Sequence, residues 1–408
     1  MKLPVAALLI TAALATPLVW AEVHERALED RVSAPPEAPP AVPPETLAAL
    51  PPGARARSDP AHAEAGILDI DYTVDSELEE RVRGILTRGR VELGHVIVLD
   101  PADGRVLAYV STDPERFPPT RVYPTASLMK VVTAGAVLQR APQAAEQGCR
   151  YTGSPYHLTA ARLRPPREGG RVDSFWRALA ISNNQCFARF AVHDVGEEPL
   201  LAEMQRLGML DAPARGHARG VVEPVESDLE LGELGSGLAG SFITPLAAVR
   251  LAAVLAEGSL VHPRWLDRVK DERGRELLLP PRETPRRVWP EDVTTELRAL
   301  LVGTTARGSA KSAFRNDRGR PLLGDIRVAG KTGRLSGTDP DGRYEWFIGV
   351  APAEAPRIAI ATLVVNGDLW WTSSSQLAAR VLHAIFCEKG VCNAASVARW
   401  RHESSSPG

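Results

Sequence analysis

A chain of 408 residues is long enough to bury a large core and too long for one small domain. Its 48 Lys and Arg against 50 Asp and Glu leave a formal charge of -2, which provides no bulk electrostatic footprint for nucleic acid. With 44% hydrophobic and 24% charged residues, it reads as neither a membrane channel nor a wholly disordered chain. Only six of the basic residues are lysines: Lys2, Lys130, Lys270, Lys311, Lys331 and Lys389. A genome that favours arginine codons accounts for the scarcity. Each lysine still merits inspection, because a lysine can lose its proton near neutral pH and an arginine cannot.

Residues 1–21, MKLPVAALLITAALATPLVWA, join a basic start to an apolar run ending in Val19-Trp20-Ala21. This is the pattern of a secretory signal peptide, or of an N-terminal anchor if it is retained. It predicts export, to the periplasm or the outer face of the cytoplasmic membrane. Residues 22–65 read as a linker, with Pro-Pro pairs at 35–36, 39–40, 43–44 and 51–52. Such a segment favours extended polyproline conformations and builds no core. From Gly66 the chain changes character. A helix is predicted over Ser76–Arg88, with Leu78, Val82, Ile85 and Leu86 on one face. A hairpin follows, His95–Asp100 and Arg105–Val110 about the turn Pro101-Ala102-Asp103-Gly104. Residues 127–305 read mainly as helices. Strands return at Asp325–Thr332, Glu345–Val350 and Ile358–Val365, and a last helix spans Ser373–Phe386. Early and late strands bracketing a helical middle predict one α/β domain over 66–390, its sheet closed from both ends, with an inserted all-helical part and a tail from 391 to 408.

Export permits disulfides. Cys387 and Cys392 enclose the short loop CEKGVC and can close it, which leaves Cys149 and Cys186 as the other pair. None of the spacings resembles a zinc site, and the nine histidines are scattered, so no metal or cofactor is expected.

Three short motifs carry chemistry. Ser127-Leu128-Met129-Lys130 follows a Pro-Thr-Ala turn and precedes an apolar helical run. A spacing of three puts the Ser127 hydroxyl and the Lys130 amine on one helical face. Taken alone the triplet is weak, since S-x-x-K arises by chance in roughly one such sequence in three. A lysine flanked by Met129 and Val131 inside an apolar helix is, however, badly placed for a permanent charge. Ser182-Asn183-Asn184 is an S-x-N within a helical stretch predicted over about 174–193. It offers a second hydroxyl and an amide, although a local helix cap would look the same. Lys331-Thr332-Gly333 ends the apolar run Ile326–Gly330, and a lysine, a hydroxyl and a glycine on a strand edge suit an extended anionic ligand.

The three motifs in this order resemble those of the penicillin-binding protein and serine β-lactamase superfamily. The likeness covers roughly residues 66–390 and extends to GHVIVLDPADGRVLAYVSTDP, FITPLAAVRLAAVLAEGSLVHPRWL, RGSA and YEWFIGVAPAEAPRIAIATLVV. Spacings of 55 residues from Ser127 to Ser182 and 149 from Ser182 to Lys331 fit its transpeptidases better than its compact β-lactamases. The resemblance implies a five-stranded antiparallel sheet flanked by helices. It implies that Ser127 attacks a D-alanyl-D-alanine stem peptide or a β-lactam, that Lys130 is the base, and that Ser182 and Lys331 relay a proton. Asn184 would orient the substrate amide, Lys331 and Thr332 would face its carboxylate, and Gly333 and Arg334 would also belong to the substrate-binding set. Backbone N–H groups of Ser127 and Arg334 would form the oxyanion hole. Implied partners are peptidoglycan stem peptides, β-lactam antibiotics and other envelope proteins.

One residue departs from the family pattern. Arg334 stands where a Thr or Ser is usual, which removes a hydroxyl and adds a guanidinium that either binds the carboxylate bidentately or obstructs the groove. The rival readings are a β-lactamase, a D,D-carboxypeptidase, and a non-catalytic β-lactam or peptidoglycan sensor or scaffold. No E-x-x-L-N is present to position a deacylating water, so the reading favours a persistent acyl-enzyme.

Overall fold

The computed structural model describes residues 58–63, 66–279, 281–367 and 370–400. The expected leader, most of the proline-rich linker and the last eight residues lie outside these. Two strands, β1 (Ser58–Ala63) and β2 (Gly66–Tyr72), pair antiparallel and lead into α1 (Ser76–Arg88). Asp75 caps α1 by accepting the Leu78 N–H, and its last turn ends at Gly89. The hairpin follows as β3 (Leu93–Leu99) and β4 (Val106–Ser111).

The middle of the chain carries α2 (Met129–Arg140), α3 (Phe175–Ala180), α4 (Asn184–Arg189), α5 (Asp228–Ser236) and α6 (Pro245–Glu257). After α6 comes β5 (Leu266–Lys270), which pairs with β2 to make a small sheet ordered β1-β2-β5. This strand was not expected, since its run LDRVK has no continuous apolar signal. The helix α7 (Glu291–Ala306) precedes three long strands, β6 (Ala329–Thr338), β7 (Asp341–Ala351) and β8 (Ile358–Asn366), and α8 (Ser374–Phe386) follows. The strand expected at 325–332 therefore begins four residues later and runs six further. Residues 325–328 instead form the approach to it.

The central sheet has the order β6-β7-β8-β3-β4 and is antiparallel throughout. Alternate residues feed two cores. Ile97, Leu99, Ile348 and Leu363 pack toward α2, α6 and α7, while Val96, Val98, Phe347 and Ile360 pack toward α1 and α8. Burial on both faces explains why these strands read as unbroken apolar runs. The expected tail from 391 begins inside a hairpin and continues as a 3-10 turn, Ala394–Trp400. Val397 and Trp400 are buried in the α8 core, so the folded unit runs on to Trp400. Among the described residues no helix is long and apolar enough to cross a membrane.

Both expected disulfides are present, Cys149–Cys186 and Cys387–Cys392. They close loops of very different length, with separations of 37 and 5 residues. On the chain-entropy account, removing the first by Cys149→Ala/Cys186→Ala should cost about 4 kcal/mol and removing the second about 2 kcal/mol. Urea unfolding midpoints of the two double variants check this. Equal losses would refute the loop-length account.

Candidate active site

Ser127 lies in a 3-10 turn, Ala126–Leu128, rather than opening α2 directly. Ala126 holds a φ of 52°, a conformation that side chains rarely adopt. The turn is gripped from two sides. Gly237, at φ 73°, stands so close that a Cβ would lie 2.0 Å from the Ala126 carbonyl oxygen. On β6, a Cβ at Gly333 would lie 3.4 Å from the Ser127 backbone nitrogen.

Lys130 is fully buried in the first turn of α2. Its Nζ lies 2.8 Å from Ser127 Oγ, 2.7 Å from Asn184 Oδ1 and within hydrogen-bond reach of the Ser236 carbonyl oxygen. Burial, and after it the charge of Lys331, push the amine well below its ordinary value. A neutral amine fits the partner set. With two N–H groups on the Asn184 and Ser236 oxygens, a neutral amine has its lone pair left for the Ser127 hydroxyl, 2.8 Å away.

The S-x-N segment is not inside a continuous helix. Between α3 and α4 the chain breaks, with Ser182 at φ 62°. Asn183 makes the break: its side-chain oxygen accepts the Cys186 N–H to cap α4, and its amide donates to Asp173 at 3.2 Å. Helical periodicity cannot reveal such an interruption when apolar residues continue on both sides of it. The break turns the Ser182 hydroxyl toward β6, where Lys331 Nζ donates to it at 3.0 Å. Lys331 also donates to the Thr332 carbonyl oxygen at 2.7 Å. The residue is fully buried, and that burial lowers its amine to about 7. Asn184 donates to the Tyr156 carbonyl oxygen at 2.8 Å while accepting from Lys130, so its amide is oriented at both ends.

A cleft of about 800 Å³ opens over these residues. Ser127, Ser182, Ser309 and Thr332 line it, whereas Lys130 and Lys331 lie wholly buried. Hydroxyls form the surface and amines stand behind them. Arg334 also lines the cleft, but its guanidinium is engaged. Nη2 lies 2.8 Å from Glu345 Oε1, and the group sits 4.6 Å from the centroid of the Trp370 ring. Burial raises the Glu345 carboxyl above its ordinary value, with Arg334 pulling the other way.

The structure thus brings Ser127, Lys130, Ser182, Asn184, Lys331, Thr332, Gly333 and Arg334 to one cleft. Sequence reasoning missed Ser309, Glu345, Trp370 and the Ser236 carbonyl. Ser309 and Glu345 lie in segments that carry the family resemblance, RGSA and YEWFIGVAPAEAPRIAIATLVV, which assign neither a role. Trp370 and the Ser236 carbonyl act through partners distant in the chain, Arg334 and Lys130.

Comparison with known proteins gives the following. Residues 94–386 match the family described as the penicillin binding protein transpeptidase domain. The peptidoglycan D,D-transpeptidase PbpA of Mycobacterium tuberculosis is 26% identical over 361 residues, spanning 78% of this chain and 71% of that protein. The peptidoglycan D,D-transpeptidase FtsI of Escherichia coli is 22% identical over 324 residues, spanning 73% of this chain and 51% of that protein. The crystal structure of PBPA from M. tuberculosis has a TM-score of 0.64 at 24% identity, covering 77% of this chain and 81% of that one. The penicillin G acyl-enzyme complex of the same protein has a TM-score of 0.61 at 25% identity, covering 77% and 79%.

Proposed function

The chain belongs to the penicillin-binding protein transpeptidase family, and on that premise we propose that it is a serine D,D-transpeptidase acting on peptidoglycan stem peptides ending in D-alanyl-D-alanine. The observation that carries this reading is the buried Lys130 amine, 2.8 Å from the Ser127 hydroxyl and flanked by two carbonyl acceptors. Ser127 Oγ attacks the carbonyl carbon of the penultimate D-alanine as Lys130 takes its proton. The oxyanion is held by the backbone N–H groups of Ser127 and Arg334, which the packing of Gly333 against Ala126 supports. The peptide C–N bond then breaks. The terminal D-alanine leaves with a proton delivered by Ser182, which Lys331 can replenish across their 3.0 Å contact. An amine acceptor next attacks the acyl-serine, forming the cross-link and freeing Ser127. A β-lactam enters the same first step and leaves its ring-opened acyl group on Ser127. Water as the acceptor would make the enzyme a carboxypeptidase.

The two disulfides support an oxidising compartment, and with it export. Incubation with benzylpenicillin should yield one covalent adduct on the peptide containing Ser127, persisting for many enzyme turnovers. A pentapeptide donor with a D-amino-acid acceptor should give the exchanged product by mass. Rapid turnover of nitrocefin would favour a β-lactamase, and absence of any adduct would favour a non-catalytic scaffold.

A further inference from the structure

Transpeptidation of a D-alanyl-D-alanine peptide requires a place for the terminal carboxylate beside the scissile bond. Three features bear on where that place is. The strand β6 presents one hydroxyl to the cleft, at Thr332, because residue 334 is arginine; Ser336 and Thr338 lie further along the strand and do not line the cleft. The Arg334 guanidinium is committed to Glu345 and Trp370. To swing onto a ligand it would leave the Glu345 carboxylate, with a side chain only 4% exposed, without its paired guanidinium, Arg343 and the Ser374 N–H being its other favourable neighbours. Finally, Ser309 Oγ stands 2.6 Å from Thr332 Oγ1 on the cleft wall. Its backbone N–H is anchored to the Ala180 carbonyl oxygen at 3.0 Å, two residues before Ser182.

We propose that Ser309 and Thr332 together read the terminal carboxylate of the acyl donor, with Ser309 supplying from another segment the hydroxyl that the strand lacks at 334. In the free protein one of the two hydroxyls must donate to the other. An arriving carboxylate accepts one O–H from each in place of that bond. Lys331 stands directly behind Thr332, its Nζ 2.7 Å from the Thr332 carbonyl oxygen, and supplies the countercharge. Arg334 then has a different task. It holds Trp370 as part of the wall and leaves the carboxylate to the hydroxyl pair.

This inference rests on the acyl-transfer reading above, and the test separates the two. Second-order acylation rate constants are measured for one penicillin as its free acid and as its methyl ester. The wild-type protein should strongly prefer the acid. Ser309→Ala should lower the rate on the acid by about ten- to a hundred-fold, the worth of one hydrogen bond to a charged group, and so collapse the acid-to-ester ratio. Ser309→Thr, which keeps a hydroxyl, should restore most of the ratio, and Arg334→Ala should preserve it. Equal losses on acid and ester in Ser309→Ala would mean a merely structural role and overturn the proposal. So would a collapse of the ratio in Arg334→Ala. Acylation of the wild type by neither compound would instead overturn the acyl-transfer reading itself.

Discussion

Replacing Lys130 by arginine should slow acylation of Ser127 by about three orders of magnitude, within the range that a positioned general base contributes. The physical reason lies in proton count rather than charge. The Lys130 amine is surrounded by one hydroxyl and two carbonyl oxygens, a set that a neutral amine satisfies with two N–H groups and a lone pair. Burial and Lys331 both favour that neutral form. A guanidinium has no basic lone pair to offer and does not deprotonate in a protein. Time-resolved labelling with a fluorescent penicillin measures the effect, and thermal melting establishes that the variant is folded. A rate within ten-fold of wild type would remove Lys130 from the role of base.

The second expectation joins activity to stability. On the proposed mechanism, Lys331→Met should reduce acylation at least a hundred-fold, because it removes the amine that donates to Ser182 Oγ and stands behind Thr332. The same change should make the protein more stable at pH 7, by on the order of 3 kcal/mol. The sign follows from the proton balance. Burial lowers the folded-state amine to about 7, while the unfolded chain keeps the ordinary lysine value of about 10.4. Between those values the unfolded state binds more protons, so wild-type stability rises as pH climbs from about 7 toward 10. The penalty is largest below pH 7 and vanishes above the unfolded value. The stability gap between Met variant and wild type should therefore narrow as pH rises. Denaturant titrations at pH 6.5 and 9.5 test this, and a variant less stable than wild type at pH 6.5 would refute it.

Much of the site was readable because its chemistry rests on short motifs, and short motifs survive in sequence as neighbours. Ser127 and Lys130 are one helical turn apart, and Lys331, Thr332 and Gly333 are contiguous. The helix at Ser76–Arg88 was readable for a related reason, since a cap and a single apolar face are local properties. What stayed hidden is what the chain assembles from distance. The break at Ser182 depends on Asn183 reaching Asp173 and capping α4, which no periodicity encodes. Arg334 was readable as a departure but not as a partner, because Glu345 meets it only through the register of β6 on β7. The burial of Lys331 was equally hidden, for an edge strand is usually solvated, whereas here the break between α3 and α4 brings Ser182 against the Lys331 amine.

The order of the central sheet has a consequence for how the protein comes into being. The strand β3 pairs with β8, so Val96 waits for Thr362 before its ladder can close. Closing so long a loop is entropically costly and gives little reward until many pairings form together. A chain that emerges from its N-terminus has delivered Ser127, Lys130 and Ser182 long before Lys331 and β6–β8 arrive. Until then the β3–β4 hairpin has an unpaired edge and neither core is complete. Reactivity is therefore a late event in this chain's history. The Lys130 amine gains the neighbouring Lys331 charge, and the cleft gains its β6 wall, only when the last third of the domain has folded.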